Sequence, residues 1–182
     1  MTTTKLVLLI IAHNGYHPIE YGHTREELEK AGFTVKVASN IPGIAQASPS
    51  NSPDASHYKT VLVDSTIDQI DPTDYAGIFL IGGPGAINDL DTPATYKVIQ
   101  NFAKTGRPFG AICISPRILA QSGTIKGKNA TGWNEDQKLQ TIFKNAGVLY
   151  QQQPVVVDKT LITANGPKAA RDFGRAIVQL LT

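Results

Sequence analysis

The sequence predicts a three-layer α/β domain built on a mainly parallel sheet, and three observations predict it. Residues 5–12 (K-L-V-L-L-I-I-A) and 77–81 (G-I-F-L-I) are continuously apolar instead of alternating, as strands covered on both faces are. Strand-like and helix-like segments alternate along the chain, the order that lays helices on both sides of a sheet. The opening strand–helix–strand unit fits a right-handed crossover.

Taken in order, the first strand is 5–12, followed by a polar loop over 13–18 that contains Gly15. A helix over 19–31 is closed by Gly32, placed for a left-handed cap. Residues 33–38 alternate and read as the second strand. The segment 39–59 carries Pro42, Pro49 and Pro53 among Ser, Ala and Asn, so it reads as a loop over the sheet edge or the active face. A short strand is expected at 60–63 and a helical turn at 71–75. The buried strand 77–81 runs into Gly82-Gly83-Pro84-Gly85, a turn where backbone N–H groups approach a ligand closely.

Asp91-Thr92-Pro93 supplies an N-cap and a first-turn proline to a helix with Val98, Ile99 and Phe102 on its apolar face. Residues 107–112 form the strand that ends at Cys113, and Ser115-Pro116 opens the next helix. After a polar stretch with a short strand (124–131), Asn134 is expected to open a helix carrying Leu139, Ile142, Phe143 and Ala146. Two runs, 155–157 and 161–163, flank Asp158-Lys159-Thr160 as a hairpin. Pro167 begins the last helix, with Phe173, Ala176, Ile177, Leu180 and Leu181 at core spacing.

With 182 residues, 41% hydrophobic and 18% charged, the chain is expected to fold as one domain over 1–182. A net charge of +2, dispersed and without a basic run, does not point to a nucleic-acid surface, and no nucleic-acid partner is expected. A single cysteine excludes an intramolecular disulfide framework and a cysteine-rich zinc site. Residues 5–12 are too short to cross a membrane and lack a signal-cleavage site, so a cytoplasmic protein without a membrane partner is expected.

In an open parallel sheet, function gathers in the loops after the C-terminal strand ends, here 13–20, 82–86 and 113–115. A strand that turns sharply into a helix lifts Cys113 above the sheet and aims free N–H groups at it. An anion is favoured there, so the thiol is expected to ionise easily; the alternative is a small buried hydrophobe. The Gly82-Gly83 turn lacks both the Walker lysine and dinucleotide-binding spacing. It reads either as a tight turn or as an oxyanion hole built from the N–H groups of Gly83 and Ile114. Glu20 either caps the first helix or sits beside the thiol, where its pKa would rise and it would donate a hydrogen bond. All four histidines (His13, His17, His23 and His57) lie in the first third of the chain. His17 shares the loop of Glu20 and either faces solvent or reaches the Cys113 edge. No metal and no cofactor are assigned, because metal-ligand spacing is absent.

These residues resemble the ThiJ/PfpI superfamily, which includes the Parkinson-disease-associated deglycase and the PfpI intracellular protease. The resemblance rests on A-I-C at the elbow, I-G-G at 81–83, Glu20, T-G-W at 131–133, and V-V-V-D…L-I-T-A-N-G-P over 155–167. It covers nearly the whole chain. It implies a flavodoxin-like α/β/α sandwich of the class I glutamine amidotransferase type, with a nucleophile elbow. It also implies a nucleophilic or redox-active Cys113, Glu20 as its hydrogen-bond partner, and homodimers or higher oligomers.

Three positions depart from the family pattern. Ile114 stands where the protease-like branch has a histidine, Trp133 where the deglycase branch has one, and Asn165 where the family has an arginine. A Cys–His–acid triad is therefore not assembled from the usual positions, and isoleucine cannot take a proton. The expected function is a cysteine-dependent enzyme acting on small carbonyl or acyl compounds, by glyoxalase, deglycase, hydratase or amidase chemistry. Cys113 would attack, Glu20 would move the proton, and His17, Gly82 and Trp133 are accessory candidates. The alternatives are a thiol redox sensor or stress-response protein, and an intracellular protease or amidase.

Overall fold

The first strand sets the architecture. In the computed structural model, which describes residues 5–182, β1 (Leu6–Ile10) is followed by β2 (Asn14–Tyr16), α1 (Pro18–Lys30) and β3 (Thr34–Ser39). Next come β4 (Ile44–Ala47), β5 (Thr60–Leu62), β6 (Ser65–Thr66), β7 (Gly77–Leu80), α2 (Ala86–Leu90) and α3 (Pro93–Ala103). The second half runs through β8 (Phe109–Ile112), α4 (Pro116–Gln121), β9 (Asn129–Ala130), α5 (Leu139–Asn145) and β10 (Leu149–Tyr150). It ends with β11 (Val155–Asp158), β12 (Leu161–Ala164) and α6 (Ala170–Leu181).

Seven strands form the central sheet in the order β11-β12-β8-β7-β1-β3-β6, parallel except for the β11–β12 hairpin. Successive residues of β1 point to opposite faces. Val7, Leu9 and Ile11 enter a core closed by Leu28 of α1 and by Phe173 and Ile177 of α6. Leu8 and Ile10 enter the other core, closed by Ile99 and Phe102 of α3, Ile118 of α4 and Phe143 of α5. A two-sided core is the reason for the unbroken apolar run. Arg171 of α6 ties the first layer together, reaching Glu26 at 2.8 Å and Glu27 at 3.1 Å on α1. Among the described residues, no helix is long and apolar enough to cross a membrane.

The structure corrects three expectations. The segment 39–59 is not a plain loop: β4 pairs with β2 and β5 in a separate three-stranded sheet, and 53–58 form a 3₁₀ turn against α1. Its apolar partners come from elsewhere in the chain. The Tyr16 hydroxyl donates to the Tyr58 carbonyl at 2.7 Å, and the Tyr21 ring meets the rings of Tyr16 and Tyr58 edge-on. The same sheet turns part of the expected 13–18 loop into β2. Finally, Asn134 does not open a helix directly. Gln137 adopts φ 60°, which interrupts helical geometry, and Asn134 instead accepts from the Leu139 N–H at 2.9 Å where α5 begins.

Candidate active site

At the end of β8 the chain reverses sharply, and Cys113 takes φ 65°. A non-glycine residue there costs about 1–3 kcal/mol and persists only when its surroundings over-determine it. Three neighbours do so. The Cys113 N–H donates to Ala164 of β12 at 2.9 Å, and its carbonyl accepts from the Trp133 N–H at 2.6 Å. The Ser115 hydroxyl, fully buried, donates to the Ile81 carbonyl at 2.8 Å. The thiol is thereby held where α4 starts.

Opposite the elbow lies the turn that follows β7. A Cβ placed on Gly82 would lie 2.6 Å from Cys113 Cβ and 2.7 Å from Glu20 Oε2, so only glycine lets thiol and carboxylic acid meet. Gly83 takes φ 122°, with the Gly15 carbonyl packed against it, and this turns its N–H toward the sulfur. The Ile114 N–H converges on the same sulfur. Both donors named from the sequence therefore sit at Cys113.

Glu20 has no solvent exposure and does not cap its own helix. Its Oε2 accepts from the Gly82 N–H at 3.0 Å, its Oε1 is buried without a hydrogen-bond partner, and the carboxyl lies against the Cys113 thiol. Burial pushes the carboxyl from its usual 4.5 up to about 8, against the pull of Cys113 and Gly82. Burial, and after it the charge of an ionised Glu20, also pushes the Cys113 thiol upward, while the Ile114 and Gly83 amides pull it down. The easily ionised thiol expected from the elbow is thus corrected: the amides act in the expected sense, but desolvation outweighs them. A neutral Glu20 removes the repulsion and leaves a donor beside the sulfur, so the pair titrates as a unit.

His17 precedes α1 as its N-cap residue, and its N–H donates to the Gly82 carbonyl at 2.9 Å. The side chain is half-buried, its Nδ1 is buried without a partner, and burial lowers its pKa. His17, Cys113, Trp133, Tyr150, Asn165 and Lys168 line one cleft of about 730 Å³. The other three histidines do not line it; His23, for example, pairs with Asp54 at 3.2 Å. The described residues contain no group of three His, Cys, Asp or Glu side chains placed to hold a metal ion.

Arg117 was not singled out by the sequence, although it is a lone cation in the apolar run P-R-I-L-A. It is buried on α4, reaches Asp136 at 2.6 Å and 3.0 Å, donates to the Trp133 carbonyl at 3.2 Å, and lies 5.3 Å from the Trp133 ring centre. It thereby fixes the cleft wall to the elbow helix.

A family model described as the DJ-1/PfpI family matches residues 5–180. An uncharacterised protein of Methanocaldococcus jannaschii is 30% identical over 176 residues, covering 96% of this chain and 82% of the relative. The solved ThiJ/PfpI domain protein of Brachyspira murdochii superposes with a TM-score of 0.88 at 23% identity, covering 98% of this chain and 97% of that one. Drosophila melanogaster DJ-1beta superposes with a TM-score of 0.80 at 26% identity, covering 98% and 90%. The α/β/α sandwich of this chain is the fold of these proteins.

Proposed function

The chain belongs to the DJ-1/PfpI family, and from that premise we propose that it is a cysteine-dependent enzyme acting on small carbonyl or acyl compounds. One observation carries the reading: a strained thiol, a buried carboxyl and two convergent backbone N–H groups meet at a cleft of about 730 Å³. A carbonyl carbon entering the cleft is attacked by the Cys113 sulfur. The S–C bond forms, the C=O π pair moves onto oxygen, and the thiol proton passes to Glu20 in its ionised form, which gains weight as pH rises toward about 8. The resulting oxyanion is held by the Gly83 and Ile114 N–H groups. One such donor is typically worth about 10²–10³ in rate. When a reversible adduct breaks down, Glu20 returns its proton to the sulfur as the S–C bond breaks. Glyoxalase, deglycase, hydratase and amidase or protease reactions all share this addition step, with a homodimer or higher oligomer as the working form. Cys113→Ala should abolish turnover of a panel of dicarbonyls, activated esters and amides while the fold persists; full activity in that variant overturns the proposal.

A second reading, a thiol redox sensor, is favoured by the raised pKa of Glu20. A protonated carboxyl and two N–H groups can hold the oxygens of a sulfinic acid formed when peroxide oxidises the sulfur. Mass spectrometry after mild peroxide should show Cys113 gaining two oxygen atoms and stopping there; an unmodified Cys113 excludes sensing.

A further inference from the structure

We infer that His17 is the general base for the hydrolytic half of the reaction, activating the water that attacks an acyl group carried on Cys113. The inference rests on the nucleophilic role proposed above and adds the group which that role leaves missing. Once the sulfur is acylated it has no proton chemistry to offer. Glu20 has no solvent exposure and sits behind Gly82, with Oε2 committed to the Gly82 N–H, so it has no face toward the cleft. The water must meet a different base.

His17 is the histidine that lines the cleft of Cys113. Its backbone N–H bond to the Gly82 carbonyl, 2.9 Å, anchors it beside the turn that carries the Gly83 donor. A Cβ on Gly83 would lie 2.5 Å from the His17 nitrogen, so the two residues are in direct contact. No hydrogen bond to the imidazole is formed among the described residues, and Nδ1 is buried. The ring is therefore not spent on a structural bond.

The imidazole is also in the form a base requires. Burial disfavours the imidazolium, and so does the positive end of α1, a 13-residue helix that starts directly after His17. The titratable and charged groups around it are Glu20 on its own helix, Cys113 at the elbow, and Glu135, Tyr150 and Lys168 on the other cleft walls. Water adds to the thioester carbon and gives its proton to the ring, while the oxyanion rests on the Gly83 and Ile114 N–H groups. Collapse breaks the C–S bond, and the imidazolium returns the proton to the departing sulfur. Thioester and water thus become carboxylic acid and free thiol, with no other reactant.

The test uses p-nitrophenyl acetate as the acyl donor. The unmodified protein should release a burst of nitrophenolate and then turn over, with a deacylation rate that rises with pH about a midpoint below the ordinary histidine value. His17→Gln should keep the burst, which counts intact Cys113 sites, and lose about 10²-fold in deacylation. Acetyl-Cys113 should accumulate in that variant, visible by mass, and the ascending limb of the pH profile should vanish. Added imidazole should restore deacylation in His17→Ala. Deacylation within twofold of the parent overturns the inference, as does loss of the burst together with turnover, which marks a structural role. No burst in the unmodified protein overturns the Cys113 reading itself, and this inference with it.

Discussion

Glu20→Gln should make the protein more stable in mildly alkaline buffer and slower in its chemistry. The side chain has no solvent exposure, and its carboxyl is pushed from 4.5 to about 8, chiefly by burial. In the unfolded chain the carboxyl ionises above 4.5, whereas in the folded protein it keeps its proton until about 8. A raised folded-state pKa gives stability that is complete below 4.5 and is lost progressively as pH rises to about 8. At about 1.4 kcal/mol per tenfold change in proton concentration, that interval removes up to roughly 5 kcal/mol. Glutamine keeps the shape and the Gly82 hydrogen bond but cannot ionise. Denaturant unfolding near pH 4.5 should therefore find parent and variant similar, and near pH 8 should find the variant several kcal/mol more stable. Taking the difference between them cancels titrations common to both, including the opposite trend of His17, whose lowered pKa adds stability as pH rises. Identical pH dependence in the two proteins would refute the assignment of a buried, proton-holding Glu20.

Two further perturbations test the supports of the site. Gly82→Ala places a methyl 2.6 Å from Cys113 Cβ and 2.7 Å from Glu20 Oε2, so it should cost about 1–3 kcal/mol and shift the iodoacetamide reactivity of Cys113. Unchanged melting and alkylation would contradict the close approach. Arg117→Ala removes the charged hydrogen bonds to Asp136 and the cover over Trp133, and about 2 kcal/mol should be lost. Trp133 is the single tryptophan, so its emission reports the cleft wall directly and should move to the red; an unmoved spectrum would show that the wall holds without Arg117.

Much of this site was legible because its signals are local. The apolar run ending at Cys113, the glycines at 82 and 83 and the first-turn position of Glu20 each fix a backbone geometry within a few residues. What escaped depends on partners remote in the chain. The small sheet around β4 is built on Tyr16 and Tyr21, and Arg117 acquires its role only when Asp136 and Trp133 fold back onto α4. Proline and serine content along 39–59 describes that segment alone and carries no trace of those aromatic partners.

By itself the sequence determined the parallel α/β frame, because residues such as Leu8 and Leu9 must both be covered, and it determined where the chain turns at Cys113. The tertiary structure decided the charge state of the site. A thiol at an elbow should ionise easily on local grounds, yet Cys113 and Glu20 are both pushed upward. The reason is desolvation, set by every neighbour that excludes water, and those neighbours come together only in the folded chain.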